Sequence, residues 1–391
     1  MDFSFSESQQ KLKKDVHDFF LNELPEDYDG EVYAIGQQVQ AFHVELQKKA
    51  AKEGWFTPGW PKVYGGGGLS EIEQAIIDEE IGYWGIYWPN FIGVHIAGPA
   101  LIEFGTEEQK KRFLPSIVKG EGIWYQAMTE PDAGTDIANV KLRATESGEN
   151  FVLNGQKTFI TGGYKPDYLY TLARTADTTP KHRGLTIFLV PADTPGISYR
   201  ALPCMGGVRT NEIFFDDIKV SKEYMLGELN KGFYHSMATF EHERASTRHF
   251  SQDRRNLEVF IQYCRETEHD GKSLIEDPQI KEILAQMVIE NEIWRLCAWR
   301  TVWRFSKRQD LGPLDYDLDG YWWKTFAVSH CETMMKIMGL YGQLQRGSKW
   351  ARIRGSIERR WQDTRSLHGA GTLEMYKIVL AERVLGLPRK K

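Results

Sequence analysis

The chain has 391 residues, a mass of 45.1 kDa and a net charge of -5 at pH 7, which allows two or three packed units with substantial cores. Its ordinary apolar content of 41% and its sequence pI of about 6.1 give no basis for a nucleic-acid-binding surface. We expect a cytoplasmic protein without metal or membrane anchor, because the chain shows no apolar run near the roughly 20 residues of a membrane helix, no secretory signal and no Cys-x-x-Cys spacing.

Residues 1–120 predict an N-terminal helical domain. A helix is expected to begin at Ser6, since Leu12, Val16 and Phe20 then recur at helical spacing. Further helices are predicted over 44–54, 71–83 and 93–104, and after a cap at Thr106.

Residues 121–230 predict a β-domain, because short strand patterns separated by turn residues begin there. Phe151-Val-Leu, the Asn154-Gly155 pair and Lys157-Thr-Phe-Ile predict a β-hairpin. Four more strands are predicted over 168–173, 185–190, 197–201 and 213–220. Short strands at regular spacing indicate a small barrel or sandwich.

Residues 231–391 predict a C-terminal helical bundle. Asp277 and Pro278 suit a cap and a first helical position, and apolar residues then recur at helical spacing for almost thirty residues. Two more helices are predicted over 319–340 and 373–385. The fold class is therefore α+β and multidomain, in the order α, β, α.

One stretch, Met128-Thr-Glu-Pro-Asp-Ala-Gly-Thr-Asp136, combines features suited to a flat ligand. Thr129 and Thr135 offer hydroxyls, and Gly134 allows close approach of the backbone. Taken alone, Glu-Pro-Asp-Ala-Gly is equally typical of a surface turn.

Three signatures in the same order along the chain resemble those of the acyl-CoA dehydrogenases. Trp124 to Asp136 resembles the family's flavin-contacting segment, Gln156-Lys-Thr-Phe-Ile-Thr161-Gly-Gly its second segment, and Asp363 to Arg389 its closing segment. The resemblance spans nearly the whole chain and implies a helical domain, a β-domain and a C-terminal four-helix bundle.

The resemblance implies FAD as the cofactor. The residues that it places against FAD are Gln126, Met128, Thr129, Gly134, Thr135, Phe159, Thr161, Lys336, Gly339, Gly342 and Thr372. Thr129 would donate near flavin N5 or O4, and Phe159, where many relatives have Trp, would flank the ring; read alone, Phe159 is a β-domain core residue. The stretches 267–271 and 336–342 depart from the family's pyrophosphate contacts, so that Lys336 would replace a neutral donor.

The catalytic base implied by the resemblance is Glu243. Many members carry a glutamate where this chain has Ala370, which cannot accept a proton, whereas a minority branch that includes isovaleryl-CoA dehydrogenase carries it at the position of Glu243. The alternative for Glu243 is a solvated helix carboxylate. Arg244 fits the family's CoA-contacting arginine, and the backbone N–H of Ala370 would hold the thioester carbonyl.

The remaining substrate contacts are assigned to Thr135, Tyr87, Trp88, Phe91 and Gly371. The crowding of aromatic residues near Tyr87 favours a bulky, cyclic or branched acyl group, although packing of the helical domain explains most of them equally well.

The reaction implied is α,β-dehydrogenation of an acyl-CoA to a 2,3-enoyl-CoA, of the β-oxidation type, in a homotetramer or homodimer that passes electrons to an electron-transfer flavoprotein. Two alternatives stay open. One is an oxygen-using acyl-CoA oxidase or flavin monooxygenase on the same fold, and the other is a non-catalytic subunit of a hetero-oligomer.

Overall fold

The structure is a computed structural model that describes residues 4–26, 28, 37–207, 209–243, 247–307, 309, 312–365 and 371–388. Within these ranges the side chains of residues 37–40, 240–243, 313, 314 and 316 are not described. The α-helices in these ranges are α1 (Glu7–Glu23), α2 (Gln37–Lys52), α3 (Glu71–Tyr83), α4 (Gly98–Phe104), α5 (Glu107–Val118), α6 (Gly232–Glu243), α7 (Arg248–Glu266), α8 (Pro278–Ser306), α9 (Pro313–Met338), α10 (Ser356–Thr364) and α11 (Leu373–Val379). The strands are β1 (Trp124–Ala127), β2 (Arg143–Ser147), β3 (Asn150–Thr161), β4 (Tyr168–Arg174), β5 (Leu185–Pro191), β6 (Ile197–Pro203), β7 (Arg209–Ser221), β8 (Met225–Leu226), β9 (Glu268–His269) and β10 (Lys272–Ser273).

The predicted helix starts at Ser6 and Asp277 are confirmed by their hydrogen bonds. Ser6 Oγ accepts from the backbone N–H of Gln9, and the Gln9 side chain accepts from the backbone N–H of Ser6, which completes a capping box. Asp277 accepts from the N–H of Gln279 and Ile280, so the 29-residue helix α8 begins where the sequence predicts.

The chain divides into two compact units. The first, here the helical unit, combines Met1–Val32, Ser70–Ile86 and Arg244–Lys391; the second, here the sheet unit, combines Tyr33–Leu69 and Tyr87–Glu243. In the helical unit α3 packs against α1, α7 and α8. One core cluster of this unit is formed by Ala75, Ile76, Phe250, Trp294, Ala298, Trp299, Val302 and Phe326. Helices α1 and α3 therefore share a core with the C-terminal bundle, whereas α2, α4 and α5 belong to the sheet unit.

A buried charged network joins the helices of the C-terminal bundle. The imidazole of His330 on α9 contacts Asp253 Oδ2 of α7 at 2.8 Å and Glu290 Oε2 of α8 at 2.9 Å. Asn291 donates to Asp253 at 3.1 Å, and Arg360 of α10 lies 3.8 Å from its other oxygen. Burial lowers the pKa of His330, but its bonds to Asp253 and Glu290 outweigh burial and raise that pKa above 6.5.

One mixed sheet of eight strands forms the centre of the sheet unit. Its strand order is β6-β7-β3-β2-β4-β5-β8, with β1 pairing parallel to β4. The four strands predicted after the hairpin are confirmed as β4, β5, β6 and β7. Helical segments before and after the sheet confirm the predicted α+β fold class.

The predicted hairpin at Asn154-Gly155 is wrong. Strand β3 continues through this pair, where its pairing with β7 shifts register. The tight connection lies earlier in the chain and joins the end of β2 at Ser147 to the start of β3 at Asn150. The Asn154 side chain donates to Asp217 Oδ1 at 2.8 Å and accepts from the Asp217 N–H at 2.9 Å. The side-chain groups of Asn154 that a local turn would have used are thus bonded to the distant Asp217.

Three further properties concern the described ranges. None of their helices combines the length and apolar character of a membrane span. Within the same ranges no three His, Cys, Asp or Glu side chains converge where they could hold a metal ion. Cys264 and Cys331 are buried, Cys204 and Cys297 are partly exposed, and all four are free thiols.

Candidate active site

The loop after β1 presents hydroxyls, backbone and two carboxylates, Asp132 and Asp136, at its surface. Glu130 and Ala133 exchange two backbone hydrogen bonds of 3.0 and 3.1 Å, which close the turn. Gly134 and Thr135 are exposed beyond it, and a Cβ built on Gly134 would meet nothing within 4 Å. Thr129 lies half-buried before the turn. Open space therefore borders the segment in which the sequence predicts ring contacts.

Gln126 and Met128 lie on one side of the chain leading into this loop. The Gln126 side-chain amide donates to Met128 Sδ at 3.5 Å. Both residues are at least partly buried, as expected for residues at the end of β1 that alternate with the core positions Tyr125 and Ala127.

Phe159 on β3 is held in an unusual conformation. Its φ is +55°, and the pairing of β3 with β7 shifts register between Lys157 and Ile160. The bulge turns the Phe159 side chain outward, where it is 61% exposed, and Thr161 is also exposed. An aromatic side chain kept in solvent by a strained backbone is typical of a binding site rather than of a core.

The loop and the bulged strand are directly joined. The N–H of Thr158 donates to the carbonyl of Thr129 at 2.9 Å. Beside this bond, the buried ammonium of Lys157 donates to the Met128 carbonyl at 3.0 Å and to Glu130 Oε1 at 2.9 Å. Thr129 and Phe159, which the sequence assigns to the same ring, are thus brought together.

The Lys157 ammonium is fully committed to hydrogen bonds, since it donates to the Met128 carbonyl, Glu130 Oε1 and the Leu172 carbonyl. Burial lowers its pKa to about 8, and the charge of Glu130 opposes that shift. The Glu130 side chain also points inward, away from the loop surface.

The exposed groups of the loop and the bulged strand include the hydroxyls of Thr135 and Thr161 and the Phe159 ring. Two carboxylates, Asp132 and Asp136, are exposed in the same loop, and Asp132 pairs with Lys141 at 2.7 Å.

The C-terminal residues assigned to FAD belong to the helical unit. Lys336 and Gly339, at the end of α9, are exposed. Gly342 is buried, and a Cβ there would lie 3.0 Å from the Met335 carbonyl, so this glycine permits close packing. Thr372 Oγ1 accepts from the N–H of Met375 and caps α11.

Three predicted site residues lie outside what the structure describes. Glu243 is the last residue of α6, but its side chain is not among those described, and Arg244 and Ala370 fall outside the described ranges. Gly371, next to Ala370, is exposed with φ +98°. The predictions for these residues therefore stay predictions.

The aromatic residues assigned to the substrate differ in exposure. Trp88 is 1% exposed and packs edge-on against Phe56 at a centroid distance of 5.6 Å, as a core residue does. Tyr87 and Phe91 are partly exposed and stack at 6.0 Å, and Phe91 also contacts His95 at 4.3 Å. Support for an acyl pocket in this segment therefore comes from Tyr87 and Phe91.

The described residues fit a flavin ring. Hydroxyls at Thr129, Thr135 and Thr161 and the amide of Gln126 match a heterocycle that offers hydrogen-bond acceptors along one edge, and the exposed Phe159 offers a face for stacking. The ion pair behind this surface, Lys157 with Glu130, was not predicted from the sequence as a contact, although both residues lie inside the two quoted motifs.

Family models match three successive segments of the chain. They are the acyl-CoA dehydrogenase N-terminal domain at residues 6–121, the middle domain at 126–218 and the C-terminal domain at 230–385. The chain therefore belongs to the acyl-CoA dehydrogenase family, whose members are FAD-dependent oxidoreductases. The predicted family, enzyme class and cofactor are confirmed.

Individual relatives cover the full length. The acyl-CoA dehydrogenase FadE26 of Mycobacterium tuberculosis is 28% identical over all of this chain and 99% of its own. Among solved structures, the Tcur3481-Tcur3483 steroid ACAD matches with a TM-score of 0.91 and 29% identity, covering both chains completely. The ChsE4-ChsE5 complex from Mycobacterium tuberculosis matches with a TM-score of 0.89 and 27% identity, again over 100% of both chains.

Proposed function

We propose that this protein oxidises a bulky, cyclic or branched acyl-CoA to its 2,3-enoyl-CoA, with Glu243 as the base. The observation that carries the proposal is the pairing of the Thr129 loop with the outward-turned Phe159, joined by the 2.9 Å bond between Thr158 and Thr129. This surface suits one flat heterocycle. FAD, when bound there, supplies the acceptor for the β-hydride.

The protein's own residues must make the α-proton removable, because a carbon acid next to a thioester is weak. Glu243 would take that proton as the general base. The backbone N–H of Ala370 would donate to the thioester carbonyl as negative charge develops on oxygen. Arg244 would bind the CoA portion.

Two findings support a bulky acyl group. Tyr87 and Phe91 form a partly exposed aromatic pair in the segment assigned to the acyl end. The name of one full-length structural relative specifies a steroid ACAD. Turnover of straight-chain acyl-CoAs faster than ring-containing ones would contradict this substrate class.

Electron transfer to an electron-transfer flavoprotein and assembly as a homodimer or homotetramer belong to the same proposal. A second candidate is a subunit of a hetero-oligomer, which is favoured by one observation, the likeness to the two-protein ChsE4-ChsE5 complex. The altered stretch at Lys336 is compatible with either assembly.

The deciding experiment is an anaerobic visible spectrum of the purified protein, recorded before and after addition of acyl-CoAs. We expect a flavin band that bleaches with a ring-containing thioester. A protein that stays colourless with added FAD would support the non-catalytic subunit, and rapid reoxidation of the reduced flavin by oxygen would support an oxidase.

A further inference from the structure

The buried ion pair of Lys157 and Glu130 lies directly behind the proposed flavin surface. We propose that these two are positioning residues, which fix the spacing between the Thr129 loop and Phe159 and thereby hold the flavin ring in place. This role rests on the proposed flavin site and concerns residues that need not touch the cofactor.

Lys157 uses its full capacity to donate hydrogen bonds. An ammonium group has three N–H bonds, and Lys157 uses them on the Met128 carbonyl at 3.0 Å, Glu130 Oε1 at 2.9 Å and the Leu172 carbonyl at 2.6 Å. The three acceptors are a carbonyl just before the turn, the Glu130 carboxylate and a carbonyl of β4. One side chain on β3 therefore ties together three other points of the sheet unit.

Glu130 is held by two backbone N–H groups in addition to Lys157. Its Oε2 accepts from the N–H of Lys141 at 2.6 Å, and its Oε1 accepts from the N–H of Leu142 at 2.9 Å. Glu130, at the start of the turn, thus contacts the two residues that lead into β2. The segment between Glu130 and Lys141, which includes Thr135, is fastened at both ends to one buried carboxylate, and Thr129 is the residue directly before it.

The bulge of β3 lies directly after Lys157. Lys157 is the last residue of β3 in regular register with β7 before the shift, and Phe159 follows two residues later with φ +55°. A displacement of Lys157 relative to the sheet would therefore change the direction in which the Phe159 ring points. The N–H of Thr158, between them, is already committed to Thr129.

The same loop contains a natural contrast. Lys141 Nζ also forms an ion pair, with Asp132 at 2.7 Å, but both side chains are 70% exposed. Exposed pairs contribute little, whereas a buried charge that loses its partner is strongly unfavourable. The two lysines therefore allow a matched comparison of a buried and an exposed pair in one loop.

The test compares three proteins with the wild type. Lys157→Met leaves the Glu130 charge buried, Lys157→Met with Glu130→Gln removes the pair without leaving a charge, and Lys141→Met is the control. Each apoprotein is titrated with FAD, and its melting temperature and the visible circular dichroism of bound flavin are recorded.

We expect Lys157→Met to lower the melting temperature and the double variant to regain at least half of that loss. FAD dissociation constants should rise at least tenfold in both, with a changed dichroism band, whereas Lys141→Met should stay within twofold of wild type. A double variant with wild-type affinity and dichroism would overturn the positioning role alone. Wild-type protein that takes up no FAD would overturn the proposed function together with this role.

Discussion

Replacement of Phe159 by Ala separates a binding role from a core role. The same strand supplies the control, since Phe151 on β3 is only 4% exposed, whereas Phe159 is 61% exposed. Both are aromatic residues of one strand, so differences in strand propensity largely cancel. A binding role predicts that the two substitutions act on different quantities.

The expected effects on stability follow from burial. Removal of a buried Phe side chain costs about 3–5 kcal/mol, which is the expectation for Phe151→Ala. Full burial of such a side chain stabilises by about 1.5–3 kcal/mol, and Phe159 has only about two-fifths of its surface covered, so Phe159→Ala should cost about 1 kcal/mol or less.

The expected effect on FAD binding is larger. A stacked aromatic contact contributes about 0.5–1.5 kcal/mol beyond its buried area, so a total loss of about 2 kcal/mol is reasonable for Phe159→Ala. At 1.4 kcal/mol per tenfold change, the dissociation constant should rise roughly 30-fold. Phe159→Trp should keep the affinity within about threefold.

Urea unfolding with and without FAD measures both quantities. At an FAD concentration of 100 times the wild-type dissociation constant, the ligand adds about 2.7 kcal/mol to wild-type stability; a site 30-fold weaker gains only about 0.9 kcal/mol. A Phe159→Ala apoprotein that is destabilised as much as Phe151→Ala, or that binds FAD as tightly as wild type does, would contradict a binding role for Phe159.

Three further predictions concern the base and the helical unit. Glu243→Gln should abolish bleaching of the flavin by substrate while FAD stays bound, and undiminished bleaching in a stopped-flow spectrum would remove Glu243 from the mechanism. His330→Gln should destabilise the bundle by about 2 kcal/mol at pH 6, because the buried Asp253 loses the cation that contacts it at 2.8 Å and keeps only Asn291 and the more distant Arg360. Since the pKa of His330 is raised above 6.5, its stabilisation is fully present below pH 6.5 and is lost as the pH rises through the raised value, so urea midpoints of variant and wild type should converge in alkaline buffer. Gly320→Ala should cost about 1–3 kcal/mol, because a Cβ there would lie 2.5 Å from the Tyr376 ring; an unchanged melting temperature would show that α11 shifts freely.

Local patterns in the sequence predicted the elements whose signals are local. Ser6 and Asp277 cap helices through side chains that lie within three residues of their partners, so the sequence contains the whole interaction. Helix α3 likewise begins and ends at the predicted residues 71 and 83. In contrast, α9 begins at Pro313, earlier than predicted, because Pro is well suited to a first helical turn.

Long-range contacts decided the features that the sequence alone did not predict. The Asn154-Gly155 pair has the composition of a hairpin turn, but the pairing of Asn154 with Asp217, 63 residues away, keeps β3 continuous. The outward direction of Phe159 depends on the pairing of β3 with β7, and Lys157 meets Glu130 only after the sheet has formed. The resemblance indicated which residues to assign to the site, whereas the sheet determines how Phe159 and Lys157 are held.

The pairing of β3 has a consequence for the order of events during synthesis. One edge of β3 pairs with β2, its immediate neighbour in sequence, but the other pairs with β7, which ends at Ser221, about 60 residues after Thr161. At about 5–20 residues per second, translation of that interval takes roughly 3–12 s. The bulge that turns Phe159 outward therefore cannot form before β7 emerges from the ribosome.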